Sequence, residues 1–542
     1  MTRAPVVWCE GTLLHAVQLS GLFPDCKTFV DMPLKNDAGE LEECAPEDWK
    51  PLSDQFGDII DDDYRRFALA LHAKWPTLYR KISQKVRVNP EKYSIIPVPH
   101  PFVVPGGRFR EMYYWDSFFT IKGLLASGML TTVRGMIENM VHLVETYGFI
   151  PNGTRIYYLN RSQPPLLTWC VKAYYKATGD RDFLRKLAFF QTHKSIHLPD
   201  WNSPLYRFIV ETDRPRPESY REDLESAEHL DSFEKKCVLW GDLAAAAESG
   251  RDFSSRFFSL HGPYAGKLEG TRTSQLVPVD LNSIICGNLQ TLCEFYTEIG
   301  DIEAAEQFER DYETMRATIK QVLWNEEYGC WFDYDLEEQK HAISFHDTNF
   351  FPMYTASHHE DLDSQRVVDY LTSSGAVGFT GGIPVSLSNT GEQWDFPNCW
   401  PPTTYVLCEG LRKVGQEEFA LSLVDKWVQK NFNMWRVSGG RMFEKYNAIS
   451  PCYKVKGGGE YTMQEGFGWT NGVILDFLKK YGSRIHWKLA ESCECCDVTL
   501  SRKLAKSGSP VPSSNSTAGL FASDSMTQTP SVVSLTSMGS EN

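Results

Sequence analysis

Three short stretches constrain this chain more than any other feature. Apolar residues recur at helical spacing in Leu167, Cys170, Val171 and Tyr174, in Leu289, Leu292, Cys293 and Tyr296, and in Leu407, Cys408, Leu411 and Val414. Each run then stops on the same signal: Thr178-Gly179-Asp180, Ile299-Gly300-Asp301 and Val414-Gly415-Gln416. A glycine there suits a left-handed C-terminal cap. The polar residue after it, with acids just beyond, suits the start of the next helix. The three glycines are nearly evenly spaced. A series of antiparallel helix pairs follows, and a helical toroid is the expected closure, with the chemistry on loops at one rim. An open helical solenoid would show shorter, stricter repeats and fewer long loops.

The chain has 542 residues, enough for one large core, and net charge −15. Without a basic stripe, nucleic acid is a poor partner, because phosphate neutralisation supplies most of that affinity. The fourteen cysteines are mostly scattered and do not supply two spaced CxxC motifs, which argues against structural zinc. Cys170, Cys286, Cys293 and Cys408 read as small buried hydrophobes with reduced thiols. No stretch of 18 apolar residues could span a membrane. No signal peptide or lipid-anchor signal is visible, so the expected compartment is cytoplasmic, with a secreted form whose leader is missing from this sequence as the alternative. The expected organisation is a frayed lead-in segment over 1–10, a catalytic domain over 11–485 and a tail over 486–542. The tail carries the Cys493, Cys495, Cys496 cluster and then a Ser/Thr-rich stretch expected to be disordered.

The long loops 96–118, 148–166, 212–220, 248–257, 375–403 and 437–471 hold the unusual residues. PGGRFREMYYWDSFF offers Arg108, Glu111, Trp115 and Asp116. GFIPNGTRIYYLNRSQPP offers Asn152, Arg161 and Gln163, and DRPRPES offers Arg216 and Glu218. ESGRDFSSR offers Asp252, EQWDFPNCWPP offers Trp394, Asp395 and Trp400, and the last loop offers Glu444, Glu460 and Trp469. There is no GxSxG elbow, phosphate loop or HExxH. His358-His359-Glu360-Asp361 reads as a solvated loop. Aromatic rings to stack on pyranose faces, with guanidinium, amide and carboxyl groups for hydroxyls, describe a carbohydrate pocket. Glycoside hydrolysis then needs one protonated and one ionised carboxyl group flanking the bond. Burial favours the first and nearby arginines the second. Composition and spacing stop at a sugar-binding helical protein, with glycosidase one of its readings.

At these loops the chain closely resembles the trehalase family of α,α-trehalose glucohydrolases. PGGRFREMYYWDSFF and QWDFPNCWPP look like its two signatures. IPNGTRIYYLNRSQPP, RPRPES, ESGRDFSSR, MFEKY and GGGEYTMQEGFGWTNGV match further blocks in the family's order, and LLHAVQLSGLFPDCKTFVDMPLK matches its start. The resemblance implies an all-α (α/α)6 barrel. It also implies inverting hydrolysis of trehalose by water to two glucoses, without metal or cofactor. It assigns Asp252 as general acid and Glu444 as general base. It places Arg108, Trp115, Asp116, Asn152, Arg161, Gln163, Arg216, Glu218, Gly250, Trp400 and Glu460 against the substrate. A hydrolase for another α-glucoside and a silent trehalose sensor are the other readings; the intact acidic pair argues against the sensor. Two departures stand out. Arg251 occupies a position where family members often carry Trp; pointed inward, it would lower the acid's pKa. Cys399 replaces a usual Ala or Gly. The sequons at Asn152 and Asn160 fall within a pocket motif, so both read as unglycosylated. Oligomeric state is not legible.

Overall fold

The helix-turn-helix units close into a ring. The computed structural model describes residues 8–34, 39–51, 54–185, 195–196, 198–449 and 461–488. Twelve helices of the described residues build the barrel: α1 (Asp62–His72), α2 (Tyr114–Ala126), α3 (Leu130–Tyr147), α4 (Leu167–Thr178), α5 (Arg181–Arg185), α6 (Val279–Ile299), α7 (Ile302–Leu323), α8 (Phe351–Thr355), α9 (Ser364–Ser373), α10 (Pro401–Lys413), α11 (Glu417–Val437) and α12 (Gly468–Tyr481). The even-numbered helices pack each on the next, and α12 returns to α2, giving the inner ring of an (α/α)6 barrel. Odd-numbered helices lie outside: α1 on α12, α3 on α2 and α4, α7 on α6, and α11 on α10 and α12.

Sequence pattern sorts the helices into the two rings. An outer helix buries one stripe, as α7 does with Ala305, Tyr312, Met315, Ile319 and Val322 between charged residues. An inner helix meets neighbours on every side, and α2 and α12 are buried almost throughout. The first and last inner helices close the ring at glycines. A Cβ on Gly123 would lie 2.4 Å from Gly472 Cα, and one on Gly472 would lie 2.1 Å from the Phe119 carbonyl oxygen. Only residues without a side chain let these backbones touch.

The repeated turns behave as their sequence requires. Gly179, Gly300 and Gly415 take φ of 68°, 88° and 85°, left-handed conformations open to glycine. Asp180 and Asp301 accept from the backbone N–H groups of Phe183 (2.9 Å) and Ala304 (3.2 Å), capping the next helix. Gln416 does not cap; its amide donates to Ser364 Oγ at 3.0 Å.

Several expectations are corrected. The segment 96–118 is not all loop, since α2 begins at Tyr114 and carries Trp115 and Asp116 on its first turn. Trp8 and Cys9, in the lead-in segment, are buried against Leu14, Val30 and Tyr157. Cys293 is only half-buried, unlike Cys170, Cys286 and Cys408. His359 is not solvated but lies edge-on to Trp324 with ring centroids 4.7 Å apart. The Cys493, Cys495, Cys496 cluster and the Ser/Thr-rich stretch fall outside the described residues.

Candidate active site

Three inner helices begin at one cavity. Trp115 is the second residue of α2, Trp400 immediately precedes α10, and Trp469 is the second residue of α12. Helix N-termini carry partial positive charge, which suits carboxylates and hydroxyls; α10 opens on Pro401 and Pro402, which have no N–H, whereas α2 and α12 do present N–H groups at this end. One such N–H, that of Trp115, donates to Gln163 Oε1 at 3.0 Å. With Trp394 the three indoles form a wall. Trp394 and Trp400 stack at 4.0 Å, while Trp469 stands edge-on to Trp400 at 5.7 Å and to Trp115 at 5.9 Å. Gly250 backs Trp115 with φ of 76°, and a Cβ there would meet the indole at 2.9 Å.

Around the rings sit paired cations. Arg108 donates to Asp25 at 2.7 Å and lies over Tyr461 at 4.6 Å. Arg161 pairs with Glu218 and lies over Tyr158 at 4.9 Å. Arg216 grips Asp223 through Nη2 at 2.7 Å and Nε at 3.0 Å. Arg108 Nε, Arg161 Nε and Glu218 Oε2 are buried without a hydrogen-bond partner. Buried polar atoms are normally satisfied, so these suit a polyhydroxylated guest. Asn152 donates to the Ala247 carbonyl at 3.2 Å and is 5 % exposed, which leaves no room for a glycan. Asn160 is exposed and does not line the cavity, so the obstruction argument holds for Asn152 alone.

Besides Glu218, which pairs with Arg161, three carboxyl groups share the chamber: Asp116, Asp252 and Glu444. Glu444 is 1 % exposed. Its Oε1 accepts from Tyr461 Oη at 2.8 Å, while its Oε2 is buried and unpaired. Burial raises its pKa, opposed first by the Lys445 charge and then by the Tyr461 hydrogen bond. Burial, with the charges on Glu444 and Asp252, pushes the Asp116 carboxyl pKa well above its usual value. Asp252 is half-buried, and its backbone carbonyl accepts from Gln393 Nε2.

The structure thus gathers Arg108, Trp115, Asp116, Asn152, Arg161, Gln163, Arg216, Glu218, Gly250, Asp252, Trp400 and Glu444 at one cavity. Glu460 lies outside the described residues. Arg251 does not line the cavity; its guanidinium donates to Asp347 Oδ1 at 2.8 Å. Cys399 is buried in a two-stranded ladder that pairs Asn398 with Asn447 and Cys399 with Tyr446, and its Sγ lies 3.2 Å from the Tyr446 carbonyl oxygen. Asp395 is structural, accepting from Ser255 Oγ and Ser386 Oγ at 2.7 Å. Glu111 is buried with Arg155 and Lys27. Sequence reading missed Tyr461, Gln393, Lys445 and the Asp25–Lys27 segment; adjacency to Glu460 and Glu444 was the signal available for Tyr461 and Lys445. Among the described residues no three His, Cys, Asp or Glu side chains are grouped as metal ligands.

Comparison with known proteins follows the same line. A family model described as Trehalase matches residues 18–482. The trehalase of Bombyx mori is 39 % identical over 528 residues, covering 88 % of this chain and 91 % of that one. The trehalase of Homo sapiens is 38 % identical over 527 residues, covering 88 % and 90 %. Among solved structures, the neutral trehalase from Saccharomyces cerevisiae has a TM-score of 0.56 at 22 % identity, covering 71 % of this chain and 75 % of that one, a likeness of fold.

Proposed function

The chain belongs to the trehalase family, whose reaction is hydrolysis of α,α-trehalose to two glucose molecules, and we propose that it works through Asp252 as general acid and Glu444 as general base. The observation that carries this reading is the buried, unpaired Oε2 of Glu444 in a cavity that Asp252 also lines. A carboxylate oxygen with no protein partner is free to accept a proton from water, while Tyr461 holds its companion oxygen in place. Asp252 then protonates the bridging oxygen as the glycosidic bond breaks. Glu444 takes a proton from the water attacking the anomeric carbon, and that carbon inverts. The opposing anomeric carbon keeps its configuration because none of its own bonds to oxygen breaks.

The arginines and Asn152, Gln163 and Glu218 supply donors and acceptors for sugar hydroxyls. Asp116 adds another polar group at the same cavity. Trp115, backed by Gly250, offers a flat apolar face to a pyranose ring. Proton NMR of fresh product should show α- and β-glucose in equal amounts; α-glucose alone at early times refutes inversion. Asp252→Asn and Glu444→Gln should each lower kcat by roughly 10²–10⁴. Near-normal turnover in either variant removes that assignment. Glucose release from maltose but not trehalose would instead identify another α-glucoside as the substrate.

A further inference from the structure

Trp394 and Trp400 do more than line the cavity. Their rings lie 4.0 Å apart and 4° from parallel, which leaves no space between them for a third group. Each also has a cation over it: Arg251 lies 5.1 Å from the Trp394 ring, and the Lys445 ammonium lies 5.0 Å from the Trp400 ring. The cations therefore cover outer faces of the pair. Arg251 immediately precedes Asp252, and Lys445 immediately follows Glu444. Hydrogen bonds fasten the same assembly. Lys445 donates to Gln393 Oε1 at 3.0 Å, Gln393 Nε2 donates to the Asp252 carbonyl, and Trp400 Nε1 donates to the Gln393 carbonyl at 2.9 Å. Trp394 N–H donates to the Phe253 carbonyl at 3.0 Å, on the other side of Asp252.

We propose that this cation–indole–indole–cation stack is a spacer that fixes the distance between the Asp252 and Glu444 carboxyl groups, with Arg251, Lys445 and Gln393 as positioning residues. The two acids are far apart in sequence. An inverting hydrolase must hold its carboxyl groups at a separation that admits water, roughly 6.5–9.5 Å. Two rigid planar rings in contact make a stiffer spacer than flexible aliphatic chains. The side chain at Arg251 faces away from the substrate, anchored by Asp347, so its effect on Asp252 is mechanical. The proposal rests on Asp252 and Glu444 being the acid and base; Asp252→Asn and Glu444→Gln, measured alongside, decide that assignment separately.

The test is a double-mutant cycle on trehalose hydrolysis with Arg251→Met, Lys445→Met and the pair. Lys445 also faces the charges on Glu444, Asp252 and Glu392, so kcat is read on the plateau of each variant's own pH profile. Each single variant should lower plateau kcat roughly 10- to 100-fold, since misplacement by 1 Å costs about that much, with KM within about threefold. The double variant should lose less than the product of the two, because both act through one stack. Lys445→Arg should recover most of kcat. Unchanged plateau kcat in the single variants, a rise in KM alone, or fully multiplicative losses would overturn the proposal. If Arg251→Met does not fold, Arg251→Lys keeps the charge beside Asp347 while removing the planar cover over Trp394. It should still lower kcat in the cycle with Lys445→Met, and wild-type kcat would refute the spacer.

Discussion

Tyr461→Phe isolates the hydrogen bond on the base. The phenol donates to Glu444 Oε1 at 2.8 Å, and phenylalanine keeps the ring that lies under Arg108. A hydrogen bond to a charged group contributes about 1.5–3 kcal/mol. One pKa unit corresponds to about 1.4 kcal/mol, so removing the bond should raise the Glu444 pKa by about 1–2 units. Burial already pushes it up, so the two effects act in the same direction. The sign follows from the role. A base works only when ionised, so activity is lost as pH falls through its pKa, and a higher pKa moves that loss to higher pH. The assay is kcat/KM for trehalose against pH, which reports groups of the free enzyme. The acidic limb should move up by about 1–2 units. Well below the wild-type midpoint, activity should fall roughly 10- to 100-fold, while the plateau holds within a few-fold. An acidic limb that stays in place, or moves down, refutes the tuning of Glu444 by Tyr461. A uniform loss at every pH would instead make Tyr461 a substrate contact.

Two other glycines and their neighbours give sharp tests. Gly250→Ala places a Cβ 2.9 Å from Trp115 on a left-handed backbone, so the indole must leave its wall; kcat/KM for trehalose should fall roughly 10- to 100-fold, and a normal value would show that Trp115 does not contact the sugar. Gly472→Ala drives a methyl group to 2.1 Å from the Phe119 carbonyl where α12 meets α2. It should cost about 1–3 kcal/mol or more, read as a lower thermal midpoint at fixed scan rate, and an unchanged midpoint would mean the ring closes elsewhere.

The ring was legible because its signals are local. A 3.6-residue period and a glycine that must take positive φ depend only on neighbours in sequence, and Gly179, Gly300 and Gly415 satisfy both. The start of α2 was not legible, because charges and rings dense enough to suggest a loop are here buried on the first turns of an inner helix. What the loops contain could be read from residue types; how they meet could not. Glu444 reaches Tyr461 because its N–H donates to the Gln464 carbonyl at 3.0 Å and Phe443 bridges Glu465, contacts that join segments on either side of an intervening stretch. Arg251 makes the same point most strongly. Its position beside the acid suggested an extra charge aimed at the proton donor, yet Asp347 and the Trp394 ring draw it the other way. A side chain next to a catalytic group in sequence need not share its cavity. Here Arg251 and Lys445, the neighbours of the proposed acid and base, turn instead toward one indole pair, and the proposed spacer gives that shared turning its role in joining two distant loops.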